Sequence, residues 1–163
     1  MRLAILTLLI CALCSCGDGK GSGNATGAAP PVAAGDSGTH ACDLLTEADA
    51  EKALGHKVTK LAATGGAAGY DICQYGWEGE HIADTGNVSI TLHSNPIADF
   101  RKSVGAAGMK VETVPGLGDD AFWAEGLYVG KGGRTALYIV GGKGISDQKA
   151  AAIGLARSTV GRL

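Results

Sequence analysis

The sequence predicts an α+β domain, a mostly antiparallel sheet packed against two or three helices and closed by one disulfide. Three observations predict it. Apolar residues alternate along 87–94, glycine turns at 125–126 and 131–133 join three later strand segments, and helical segments with N-cap residues open and close the region.

Element by element, the chain starts with Met1-Arg2 and a short apolar run, residues 3–12. That run suits a secretory signal and falls short of the roughly 20 residues that a membrane-spanning helix needs. Leu13-Cys14-Ser15-Cys16 follows and resembles the lipobox of bacterial lipoproteins, with an aliphatic residue at −3, a small one at −1 and then the cysteine that receives the lipid. Residues 1–15 therefore read as a lipoprotein signal peptide and Cys16 as the lipidated residue, its acyl chains (palmitate among them) holding the protein to a membrane. Residues 17–40 hold seven glycines and two prolines, and Val32 is their sole aliphatic beyond alanine. Such a segment cannot bury enough surface to offset its ordering entropy, so 16–40 reads as a disordered tether with a mean reach of about 27 Å.

One domain is expected over 41–163. Thr46 caps a helix whose first turn is acidic, Ala50, Ala53 and Leu54 form its apolar face, and Gly55 stops it. A strand is expected over 58–62, then a Gly/Ala-rich break at 64–69. Along 71–77 Cys73, Tyr75 and Trp77 share one face; along 87–94 Val88, Ile90 and Leu92 alternate with Ser89, Thr91 and His93. Asn95 is expected to cap a second helix with Pro96 at its first position and Ile97, Phe100 and Val104 as its stripe. Strands over 120–124, 127–130 and 134–140 follow. Ser146 is expected to cap a last helix, 147–163, with Ile153, Ala156, Val160 and Leu163 on its buried side.

Composition narrows the function classes. Fourteen basic and 16 acidic residues give a net charge of −2, without the basic stripe of a nucleic-acid binder. Of five cysteines, Cys11, Cys14 and Cys16 belong to the leader, which leaves Cys42 and Cys73. In an exported chain such a pair is most simply a disulfide, and closing about 30 residues contributes roughly 3–4 kcal/mol in the chain-entropy model. The competing reading is a catalytic or metal-binding thiol pair, but the spacing matches no such motif.

The opening Ala41-Cys42-Asp43-Leu44-Leu45-Thr46-Glu47-Ala48-Asp49-Ala50, the segment Cys73-x-Tyr75-x-Trp77 and the run Val114-Pro115-Gly116-Leu117-Gly118-Asp119-Asp120-Ala121-Phe122-Trp123 resemble a family of cell-envelope lipoproteins, commonest in actinobacteria. The resemblance spans most of 41–163. It implies an exported α+β domain with one disulfide, and it brings no activity and no catalytic residue.

No side chain carries a catalytic motif, and no cofactor is implied. Gly141-Gly142-Lys143-Gly144 departs from a phosphate-binding loop because Gly144, rather than Ser or Thr, follows the lysine. Asp119 and Asp120 are neighbours whose side chains diverge in a strand. Glu78, Glu80 and His81, with Asp84, offer oxygen and imidazole ligands for a divalent ion without any known metal-loop spacing. Phe122 and Trp123 must face opposite ways, so one points outward or under a covering helix; an exposed one, or Trp77, would be a binding anchor. The expected function is a lipid-anchored, non-enzymatic binding or structural module of the cell or outer membrane, meeting an envelope protein, a wall component or an amphiphile. A metal-assisted envelope hydrolase built on Glu78, Glu80 and His81, or an inhibitor of an extracellular enzyme presenting loop 78–86, are the alternatives.

Overall fold

The computed structural model describes residues 38–64, 70–81 and 83–163. The signal peptide, Cys16, most of the tether and the break at 65–69 lie outside the described residues.

The domain is α+β. Its elements run α1 (Ala41–Leu44), α2 (Glu47–Leu54), β1 (Thr59–Thr64), β2 (Tyr70–Glu78), β3 (Thr85–His93), α3 (Ile97–Ala106), β4 (Glu112–Thr113), β5 (Asp120–Trp123), β6 (Leu127–Lys131), β7 (Arg134–Gly142) and α4 (Gln148–Thr159), ending in a 3₁₀ turn, Val160–Arg162. All seven strands form one sheet in the order β1-β2-β3-β7-β6-β5-β4, each pair antiparallel.

Local chemistry sets the boundaries. Thr46 accepts from the Asp49 N–H while Asp49 reaches back to the Thr46 N–H, and Gly55 closes α2 with φ 72°. Two left-handed glycines, Gly132 and Gly133, make the two-residue turn that pairs Lys131 with Arg134. The two later caps sit one residue beyond their predicted positions. Pro96, extended at ψ 149°, is itself the N-cap of α3, so Asn95 does not cap it; the Asn95 carbonyl accepts from Thr135 Oγ1 instead. The cap of α4 is Asp147, whose carboxylate accepts from the Ala150 N–H, and not Ser146. The buried stripe of α4 is Ala152, Leu155, Ala156 and Thr159, with Ile153, Val160 and Leu163 half-buried. Thr159 is drawn in because its hydroxyl meets the buried Tyr138 hydroxyl at 3.0 Å.

Strand alternation sorts the side chains onto two faces. On the inner face Cys73, Val88, Ile90, Leu92, Val129 and Tyr138 pack against α1, α2 and α4. Each such large apolar side chain contributes about 1.5–3 kcal/mol by leaving water. Cys42 at the start of α1 is bonded to Cys73 at the middle of β2, Cα–Cα 5.0 Å. On the outer face α3 covers the β5–β6 half, where Val104, Phe122 and Ala124 form a second cluster with Ile97, Phe100 and Tyr128, and Phe100 reaches on to His93 at one end of β3. Gly130 makes that approach possible, since a side chain there would run into Ile97.

Candidate functional site

The residues singled out by sequence are brought together only in part. Phe122 and Trp123 do face opposite ways, and a helix covers the first: Phe122 is 0% exposed beneath α3, stacked on Tyr128 at 4.6 Å with the Arg101 guanidinium 4.6 Å above its ring. It is a core residue and no exposed anchor. Trp123 is half-buried against the main core. Trp77 is half-buried as well, stacked on His56 at 3.7 Å and lying over Gly86, where any side chain would strike the indole. Both indoles thus spend most of their surface on packing.

Glu78, Glu80 and His81 are exposed and line a shallow depression of about 260 Å³ with Gly79 and Thr85. Among the described residues no three His, Cys, Asp or Glu side chains come together as an ion site. Asp84, the fourth member of that group, is ion-paired with Lys143, which ties the loop to the turn after β7. Asp119 and Asp120 diverge: Asp119 accepts from the Gly132 N–H, and Asp120 receives both of its bonds from Arg101 Nη2, at 2.8 and 2.9 Å. Among the described residues no helix is long and apolar enough to cross a membrane.

The feature that sequence reasoning missed is the outer face over β1, β2, β3 and β7. Helix α3 leaves most of it uncovered, and the exposed large hydrophobics among the described residues lie along it: Leu61 at 56%, Tyr70 at 43% and Ile139 at 41%. Ladder register fixes the neighbours. Ile72, Thr91 and Leu137 form one row across the strands; Ala62, Gln74, Ser89 and Ile139 form the next. A bulge between Lys60 and Ala62 turns Leu61 onto this face, where it covers Gly76 and leaves that position no room for a side chain. Beyond it a groove of about 450 Å³ opens, lined by Leu61, Thr59, Gly76 and Asn87 and flanked by Lys57 and Glu78.

The face carries no ionic group between Tyr70 and Gly76 on β2, Asn87 and His93 on β3, or Thr135 and Ile139 on β7. Hydroxyls and amides (Gln74, Asn87, Ser89, Thr91) alternate with aliphatic side chains. At one end His93 sits between Tyr70 and Phe100, and burial holds its imidazole below the ordinary histidine range. The Tyr128 phenol is pushed up by burial and by the Glu125 carboxylate. Such a face can exclude water and hold an uncharged surface. The signal for it was present in β7, whose alternate residues Leu137 and Ile139 are apolar opposite the core-facing Ala136, Tyr138 and Val140. No protein family, curated protein or solved structure matches the chain.

Proposed function

We propose that this chain is a lipid-anchored cell-envelope protein whose domain works by binding, through the uncovered outer face of its sheet, and not by catalysis. The observation that carries the reading is the placement of Leu61, Tyr70 and Ile139 on one face of the sheet that α3 leaves largely uncovered. Exposed apolar side chains scattered singly need no explanation, whereas several on one flat face mark an interaction surface. The lipobox-like Leu13–Cys16 segment, the Gly/Pro-rich 17–40 and the resemblance to envelope lipoproteins support export and anchoring at Cys16. Envelope proteins, wall components and amphiphiles are the partner classes that such a location offers, and the near-neutral charge argues against nucleic acid.

The test uses the full chain in bacterial envelopes. With Cys16→Ser the chain is expected to leave the membrane fraction, and a photoreactive residue at position 139 is expected to form an adduct that one at Ser158, on α4, does not. A chain that stays membrane-bound without Cys16 overturns the anchor. A purified chain that turns over a substrate, and loses that turnover with one polar substitution, overturns the binding role.

A further inference from the structure

We infer that the occupant of the uncovered face is a second copy of this chain, joined sheet to sheet about a two-fold axis parallel to the strands. The inference rests on the binding reading above and names its partner.

Shape is the first argument. Antiparallel sheets pack face to face about 10 Å apart, and a helix forms a layer of about that thickness. Because α3 stands on the β5–β6 half and passes it at the end where Phe100 meets His93, the outer face is a step, low over most of β1-β2-β3-β7 and one helix higher beyond. A copy turned about an axis lying over the β2–β3 boundary sets its low half on the low half of the first. Its β7 then faces β1, and its β3 faces β2. Each α3 comes down beside the β1 of the other copy, covering a sheet edge that is otherwise unpaired. Leu61 of one copy meets Ile139 of the other, so two of the three exposed hydrophobics cover each other twice.

Charge is the second argument. A two-fold contact brings a patch against itself, so any net charge in it repels its own image. At the outward positions between Tyr70 and Gly76 of β2, Asn87 and Thr91 of β3, and Thr135 and Ile139 of β7 the low half carries no ionic group, and Glu78 and Lys57, of opposite sign, stand together at the groove beyond Leu61.

The position of the chain leading out of the domain is the third. His40 Nδ1 lies 2.9 Å from Asp71 Oδ2 at the start of β2, and Arg134 Nη2, at the start of β7, donates to the Thr39 carbonyl at 3.0 Å. These strands run parallel to each other, so both contacts sit at one end of the sheet. An axis along the strands puts that end on the same side in both copies, as two chains anchored in one membrane require. The low half measures about 19 by 27 Å by strand spacing and rise. That is smaller than the roughly 800 Å² per partner of a standard interface, with the flanking α3 contacts added to it. Anchoring of both copies in one membrane, as the proposed function has it, raises their local concentration and favours such a contact.

The experiment expresses two differently tagged full chains in one envelope, one with Leu61→Cys and one with Ile139→Cys, and treats them with a short bismaleimide. A mixed dimer is expected, at a yield at least about tenfold above that of two Leu61→Cys copies, because the axis separates like positions on the outer strands. In sedimentation of the detergent-solubilised full chain, Ile139→Lys is expected to raise the dimer dissociation constant by roughly a hundredfold, since symmetry counts each buried charge twice. Equal yields, or no dimer at all, overturn the inference. If the photoreactive residue at 139 then captures a different envelope component or an amphiphile, the second-copy assignment fails and the binding role stands; if it captures nothing, both fail.

Discussion

Removing the bond between Cys42 and Cys73 is the perturbation with the largest expected effect on folding. The bond closes a sequence separation of 31 residues and pins the start of α1 to the centre of β2, with Cys73 fully buried. In the chain-entropy model a loop of that length restricts the unfolded chain by about 3.7 kcal/mol at 25 °C. A domain of this size unfolds with about 260 cal/mol/K of entropy, so the melting temperature should fall by about 14 °C. The assay is a thermal melt of the oxidised chain beside Cys42→Ala/Cys73→Ala, followed by circular dichroism. Cys42→Ala alone should behave nearly as the double variant does, because either substitution removes the same constraint. A shift below about 4 °C would mean that the bond restricts little that the core does not already hold.

Other substitutions probe the rest of the frame. Thr46→Ala should cost about 1 kcal/mol of unfolding free energy in a denaturant titration, because the Asp49 N–H in the first turn of α2 loses its acceptor. Asp147→Ala should cost about the same while Ser146→Ala costs almost nothing, which separates the observed cap of α4 from the predicted one. Gly118→Ala should cost more than about 2 kcal/mol, since the residue has φ 56° and a side chain there would meet the Gly130 carbonyl. His93 makes stability depend on pH. Burial lowers its folded-state pKa, so the unfolded chain takes up the proton first as pH falls below about 6.5, stability drops there, and the loss levels off once the folded imidazole is itself protonated. His93→Gln should flatten that slope between pH 7 and 5. Asp49 acts in a separate window. Burial raises its pKa, but hydrogen bonds from Thr46 and the Arg162 guanidinium outweigh this and hold it low, so its contribution is lost only below about pH 3.9.

Much of the fold was legible because it is written in local periodicity. Val88, Ile90 and Leu92 announce β3 and its buried side, and the glycines at 132 and 133 announce the turn between β6 and β7. Thr46 and Gly55 bound α2 where the sequence puts them. Two elements carried no period to read: α1 has four residues and β4 has two. The caps of α3 and α4 moved by one residue because adjacent groups compete for the role. An Asp carboxylate at 147 is a stronger acceptor than the Ser146 hydroxyl, and the restricted φ of Pro96 is compatible with the extended cap conformation. The outer face was illegible for a different reason. Alternation says which residues share a side, but whether a helix covers that side depends on where α3 lands, and this is settled by non-local contacts such as Ile97 on Gly130. The same blindness affected Phe122, whose partner Tyr128 was visible in sequence while the helix above it was not assignable.

On the proposed binding role, the apolar residues of the outer face are kept for contact and contribute little to the folded domain. That role is tested most directly by two readings on one variant, Ile139→Lys: the thermal stability of the dilute chain, and the photo-adduct formed in intact envelopes by a reporter at position 61 of that chain. A stability change within about 0.5 kcal/mol is expected, as for an ordinary surface position, together with loss of the adduct. A variant that unfolds, or that keeps its full stability and its adduct, would contradict it.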